Sequence, residues 1–329
     1  ITNNGTLNVT GNVTNDATLI FNDGLLAFKG TAAQILNGTT TYNAKNVLVD
    51  NAAGVTLNSK LIADGSVTFT NGIVTAATTT APLVFTTNAT VTGAADASHV
   101  NGYVVKEGIG AFTYPVGNGT KYQPCGVNPS ANGSGIQVKY NAADAGAGTF
   151  TTSGTEPTAL IAYNKLEHWD ITPLSTATGT VTMYWDAYKN VGIANVSDLK
   201  VAHKTGGNWL NEGTTGTGTV SAGTVTSNVI STWSPFTLGS IVSSTLPLHW
   251  LNVGGSLNSS KQAVINFKVN ETNVAKYEIE KSNDGRTFYA IATISSKGNG
   301  ENSYQFTDAT VLDAVKYYRI KQIDTDDRY

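Results

Sequence analysis

Four histidines, His99, His168, His203 and His249, and a single cysteine, Cys125, are all that 329 residues offer toward imidazole, thiol or soft-metal chemistry. A metal site uses such residues roughly two to five positions apart, or at i, i+4 on a helix. No two of these have that spacing, so each is expected to serve packing. Cys125, in QPCGV, would need a base and oxyanion donors to act as a nucleophile, and no histidine lies near it in sequence. Glu167 with Asp170, or Asp186, are the carboxylates a glycosidase pair would draw on. Acidic side chains at strand ends are ordinarily just solvated, and that is the expectation for them. The run DTDD, Asp324 to Asp327, offers oxygens to Ca²⁺ without the rest of a binding loop and reads as a turn. The Gly-rich run from Gly213 to Val225 follows a strand but opens no helix, so it reads as a flexible hairpin loop and not a phosphate cradle. The chain is therefore expected to carry no catalytic residue, no cofactor and no metal.

Three stretches are better suited to binding. In MYWDAY, Met183, Trp185 and Ala187 face one way and Tyr184, Asp186 and Tyr188 the other, as strand alternation requires. With Trp185 in a core, the second set makes a platform for a sugar ring; the competing expectation is that it packs under a loop or against a neighbouring module. The opening ITNNGTLNVTGNV is strand-like and little charged, with Leu7 and Val9 on one face, suited to donation into another subunit's sheet. The closing YYRIKQIDTDDRY reads as a strand and a turn with no strand after it. There Tyr318 and Ile320 set apolar side chains against a core, Tyr318 at what would be a tyrosine-corner position. A missing last strand would leave an open groove and an unpaired edge. Two expectations compete: the natural chain continues past Tyr329, or a neighbouring subunit fills the gap.

The elements that position these stretches are strands. Charged residues make up 13% of the chain, the net charge is −3, and 34 glycines accompany abundant Thr and Asn without long Ala/Leu/Glu/Lys runs. That is β-protein chemistry. So weak a charge with no Lys/Arg cluster leaves no footprint for nucleic acid or an anionic membrane, and no apolar run approaches the roughly 18 residues of a spanning helix. The first residue is Ile1 and no leader follows it, so a mature protein or a fragment is expected. Residues 1–95 repeat short alternating runs such as ATLIFND, NVLVDN and SVTFTN, closed by Asn, Asp or Gly. Short strands and small side chains predict a β-solenoid with coils about 4.8 Å apart rather than an antiparallel sandwich. Asn51, Asn58 and Asn71 would then satisfy backbone groups at its corners. Residues 96–241 carry longer strands of the sandwich type, with Trp169, Trp185, Trp209 and Trp233 for a core. IVSSTLPLHW reads as a linker. Residues 242–329 read as a second sandwich, in which Ala263, Ile265, Phe267 and Val269 form an apolar face and Asn283-Asp284-Gly285 tips a hairpin.

LPLHWLNVGG, YEIEKSNDGRTFYAIATI, YQFTDAT and KYYRIKQIDTDDRY resemble, over Leu246 to Tyr329, a fibronectin-III-like module found near the C-termini of secreted Bacteroidota surface proteins, ahead of a type IX secretion sorting domain. AFTYPVGNGTKYQPCGV, EHWDITP and WSPFTLGS are similar to segments upstream of that module in the same proteins. Two departures stand out: the strand expected after the DxDG-like turn, here DTDDR, and the sorting domain. The resemblance implies export, an extracellular or outer-surface location on a Gram-negative bacterium, and a role in adhesion or assembly, although such proteins include enzymes with a catalytic domain elsewhere. The reading taken is an all-β, non-enzymatic structural protein: N-terminal β-solenoid-like repeats, then two β-sandwich domains, the last fibronectin-III/Ig-like and short of its last strand. It would be a subunit or segment of a surface fibre or adhesin, partnered by itself or by a surface glycan, with no nucleic acid and no membrane insertion. The alternative is a carbohydrate-binding or accessory region of a larger secreted hydrolase.

Overall fold

The computed structural model describes residues 4–17, 19–20, 23–132, 135–154, 156–186, 195–242, 249–271, 274–298, 300–311 and 314–324. Among them the one helical segment is a 3-10 turn, Val196–Asp198; the ordered elements are otherwise strands. The chain divides into two compact units, Ile1–Asn190 with Ala194–Leu246, and Val191–Ile193 with Pro247–Tyr329.

The N-terminal region is the β-solenoid that its short, small-residue runs predict. Its strands pair only in parallel, Thr6–Val9 with Leu25–Phe28, Leu25–Phe28 with Tyr42–Asp50, and Tyr42–Asp50 with Leu61–Asn71. A second sheet takes one strand per turn, in the order Val13–Thr14, Gln34–Asn37, Val55–Leu57, Val74–Ala76 and Val100–Gly102, which makes about five turns. The aligned residues Thr6, Leu25, Asn46, Ser66 and Thr90 place 19 to 24 residues in a turn. Parallel in-register strands set equivalent positions over one another, so inward side chains form columns. Val9, Phe28, Val49 and Phe69 make one, and Gln34, Val55, Val74 and Val100 another, with no member more than 7% exposed. Corners approach as closely as backbone allows. At Gly72, with φ +92°, a Cβ would stand 1.7 Å from the Asn51 carbonyl oxygen, which only glycine avoids. Of the expected corner asparagines, Asn51 is buried and donates to the Ala32 carbonyl and to Gln34 Oε1, both at 2.8 Å. Asn58 and Asn71 bond side chain to side chain across turns instead, to Asn37 Oδ1 at 2.8 Å and Asp50 Oδ1 at 3.1 Å.

The sheet does not break near residue 95. Leu83–Phe85 pairs in parallel with Val104–Lys106, whose other edge pairs antiparallel with Ile136–Asn141. The same 15-stranded sheet continues through His168–Pro173, Phe236–Ser240, Leu199–Thr205 and Asn208–Asn211. The change expected at 95/96 is thus a switch from parallel to antiparallel pairing within one sheet and one compact unit. A further sheet runs Phe112–Tyr114, Cys125–Asn132, Ala177–Trp185, Ala222–Thr226 and Thr217–Thr219, the last two forming the hairpin expected of the Gly-rich run. Trp169, Trp185 and Trp209 are buried, and their indole N–H groups reach the carbonyls of Gln123, Thr219 and Gly146. Trp233 is half-buried.

The second unit holds two three-stranded antiparallel sheets, His249–Leu257, Gln262–Glu271, Gly300–Val311 and Tyr289–Ser295, Val274–Ser282, Tyr317–Asp324, in those orders. Strand alternation buries Ala263, Ile265, Phe267 and Val269 on one side of Gln262–Glu271. Tyr277, Ile279 and Tyr304 complete the core with Ile265, Phe267 and Val269. The hairpin tip is held by Asp284, whose Oδ1 accepts the N–H groups of Arg286 and Thr287 at 2.8 Å each.

Candidate functional site

His249–Leu257 and Tyr317–Asp324 each end their sheet, with no strand partner on the outer edge among the described residues. Between them lies a groove of about 540 Å³, lined by Trp250, Val253, Leu257, Ile265, Tyr318 and Ile320. Val253 and Leu257 are 57% and 61% exposed, unusual for apolar residues inside a strand. Gly254 and Gly255 between them leave part of the wall as bare backbone. Opposite, alternation turns Tyr318 and Ile320 inward, where they pack on the core as expected. Arg319, between them, forms an ion pair with Glu280 and lays its guanidinium over the Phe288 ring, 4.4 Å from its centroid. A strand that ends its sheet among the described residues, beside an apolar trough, is what an added β-strand requires: backbone groups to continue the ladder, and a floor for alternate side chains.

Tyr318 does not make a tyrosine corner. Its hydroxyl donates to Asp308 Oδ2 at 2.7 Å and not to a backbone carbonyl. Burial, with the Asp308 carboxylate adding to it, pushes the phenol well above its ordinary pKa. The turn expected after Asp324, residues 325–329, lies outside the described residues.

The other candidates are dispersed. Tyr184 is half-buried with its hydroxyl 3.3 Å from Thr113 Oγ1, and Asp186 is exposed; Tyr188 lies outside the described residues. Met183 and Trp185, on the opposite face, are core. Leu7 is 40% exposed and Val9 is buried, both in the outermost strand of the parallel sheet. Three histidines are held locally. His99 Nε2 accepts from the Gly119 N–H at 3.1 Å while Nδ1 lies 3.0 Å from the Ala95 carbonyl; His203 bonds Glu212 at 2.8 Å and stacks on Phe236; His168 Nδ1 lies 2.8 Å from the Ala143 carbonyl. The His249 side chain lies outside the described residues. Cys125 is buried.

Glu167 and Asp170 are not merely solvated. Glu167 is buried and accepts from Tyr140 at 2.9 Å and Asn164 at 3.1 Å; Asp170 accepts from Asn141 at 2.8 Å and Ser234 at 3.3 Å. Both anchor neighbouring segments, a role that depends on partners distant in sequence. Sequence reasoning also passed over Lys281 and Asp308, whose side chains meet at 2.6 Å inside the second unit. The available signal was parity: Lys281 stands two residues after buried Ile279, and Asp308 four after buried Tyr304.

Comparison with protein-family models, curated proteins and solved structures finds no match to this chain. What the fold defines is a class: an all-β protein in which a solenoid runs into antiparallel sheets and a separate unit carries two three-stranded antiparallel sheets.

Proposed function

We propose that this chain is a non-enzymatic structural protein of the cell exterior, a subunit or segment of a surface fibre or adhesin, whose second unit takes up a β-strand from a neighbouring copy. The observation that carries this reading is the apolar groove lined by Trp250, Val253, Leu257, Ile265, Tyr318 and Ile320, with Val253 and Leu257 exposed on the strand His249–Leu257. The strand order of the two small sheets supports the fibronectin-III-like resemblance, and through it export and an outer-surface location. The donor is the opening segment, residues 1–13. Among the described residues its strand Thr6–Val9 has one strand partner, Leu25–Phe28, and Thr6, Leu7 and Asn8 are exposed. Insertion would exchange the four-residue pairing with Leu25–Phe28 for pairing with Tyr317–Asp324. Head-to-tail exchange is heterologous and need not close, so it builds a filament. Sedimentation of the full chain and of a chain lacking residues 1–13 tests this. Concentration-dependent assembly of the full chain alone is expected. Equal assembly of both, or monomers throughout, would refute donation by this segment.

A further inference from the structure

Apart from the groove's apolar floor, one cluster in the second unit brings an amine and a carboxyl together out of water, with a half-buried phenol beside them. Lys281 lies on Val274–Ser282 and Tyr318 on Tyr317–Asp324, in one sheet; Asp308 lies on Gly300–Val311, in the other. Lys281 Nζ is 2.6 Å from Asp308 Oδ2, and the two side chains are only 6% and 8% exposed. The Tyr318 hydroxyl donates to the same Oδ2 at 2.7 Å, and the Thr310 N–H donates to Oδ1 at 2.9 Å. The ammonium also lies 5.8 Å from the centroid of the Tyr318 ring. A buried ion pair of this kind adds little net stability, because both charges lose their water. The arrangement nevertheless supplies each group that amide formation needs: a nucleophile against a carboxyl, a donor on the oxygen that would leave, and a backbone N–H on the oxygen that would carry negative charge.

We infer that Lys281 and Asp308 condense into an amide that covalently joins the two sheets, with Tyr318 as the proton-transferring group. One proton passes from Nζ to Oδ2, leaving a neutral amine and a neutral acid, the forms that low dielectric favours. Nζ attacks Cγ, the C–N bond forms, and charge gathers on Oδ1 against the Thr310 N–H. The Tyr318 hydroxyl gives its proton to Oδ2 and recovers one from the nitrogen. The Cγ–Oδ2 bond breaks and Oδ2 leaves as water. Ammonium and carboxylate thus become amide and water, with no redox change and no co-reactant. Asp308 rests as a carboxylate: burial pushes its carboxyl up, but hydrogen bonds from Lys281, Tyr318 and Thr310 outweigh it and hold the group well below the usual carboxylate range. The proton shift is therefore an unfavourable pre-equilibrium, proton transfer through Tyr318 as Oδ2 leaves limits the rate, and the reaction occurs once per molecule.

Intact-mass measurement of the purified full chain, aged at neutral pH and then denatured, tests the inference without depending on assembly. The expected mass is below that of the sequence by one water, about 18 Da, with a proteolytic fragment joining Lys281 to Asp308. Asp308→Asn should lose ammonia instead, about 17 Da, and Lys281→Arg should keep its full mass. Tyr318→Phe should slow the mass loss by about a hundredfold. Retention of the full sequence mass by aged wild-type protein, shown to be folded by amide protection, overturns the inference.

Discussion

Replacing Gln34 by Leu separates two accounts of the solenoid interior. Gln34 is 1% exposed and stacks in register with Val55, Val74 and Val100. If the column is only a hydrophobic stack, Leu should stabilise it by about 1–2 kcal/mol through added apolar burial. The geometry says otherwise. Gln34 Nε2 donates to the carbonyls of Val9 and Gly11 at 3.1 and 2.9 Å, while Oε1 accepts from the Gly30 N–H at 3.1 Å and from Asn51 Nδ2 at 2.8 Å. One amide therefore ties three successive turns. After substitution the Val9 carbonyl keeps the Lys29 N–H, Asn51 keeps the Ala32 carbonyl, and Gly11, being exposed, can rehydrate. The buried Gly30 N–H keeps nothing. The orphaned donor costs about 1–3 kcal/mol and each of the other three lost bonds about 1 kcal/mol, so after the apolar gain the net is at least about 2 kcal/mol of destabilisation. Hydrogen exchange should report it as a roughly 30-fold rise in local opening across residues 9–15 and 30–37. Unchanged or slower exchange in Gln34→Leu would refute the network account.

Two further predictions follow from the same contacts. Gly72→Ala should cost about 2–4 kcal/mol, since it combines a left-handed backbone with a Cβ 1.7 Å from the Asn51 oxygen; Gly11→Ala, with nothing within 4 Å of its Cβ, should be near neutral in the same thermal melts. His99 should make the neighbouring loop acid-sensitive, because burial holds its pKa below the ordinary value, against the opposing pull of the Ala95 carbonyl and Asp96. The folded value lies below the unfolded value of about 6.5, so the contribution is intact above that pH and is lost as the pH falls from there through the folded value. Local opening of residues 118–122, read as exchange corrected for the intrinsic rate at each pH, should rise as the pH is lowered from 7.5 to 5 in wild type, with Asp96 and Lys121 paired alongside. In His99→Gln, which retains an acceptor for Gly119, the same profile should be flat.

What could be read from sequence was whatever depends on near neighbours along the chain. Period-two alternation placed Ile265, Phe267 and Val269 inward and Met183 and Trp185 in a core, and short runs closed by Asn and Gly specified coils. Pairing at a distance could not be read. Nothing local to Val104–Lys106 says that one edge meets a parallel partner, Leu83–Phe85, and the other an antiparallel one, Ile136–Asn141, so a domain boundary was expected where one sheet is continuous. Glu167 looks like any acidic residue at a strand end until the fold brings Tyr140 to it.

Tyr318 shows both sides of that divide in one residue. Its inward direction follows from alternation with Ile320, and the apolar floor of the groove with it. The target of its hydroxyl does not, because Asp308 arrives from the other sheet and from the inward parity of a different strand. The same phenol therefore serves two surfaces. Its ring lines the groove, and its hydroxyl bonds the Asp308 carboxylate that holds Lys281. A strand entering the groove would cover the ring and exclude water from the only partly buried member of that triad, which lowers the local dielectric and strengthens its electrostatic interactions. The groove and the Lys281–Asp308 pair thus share one side chain.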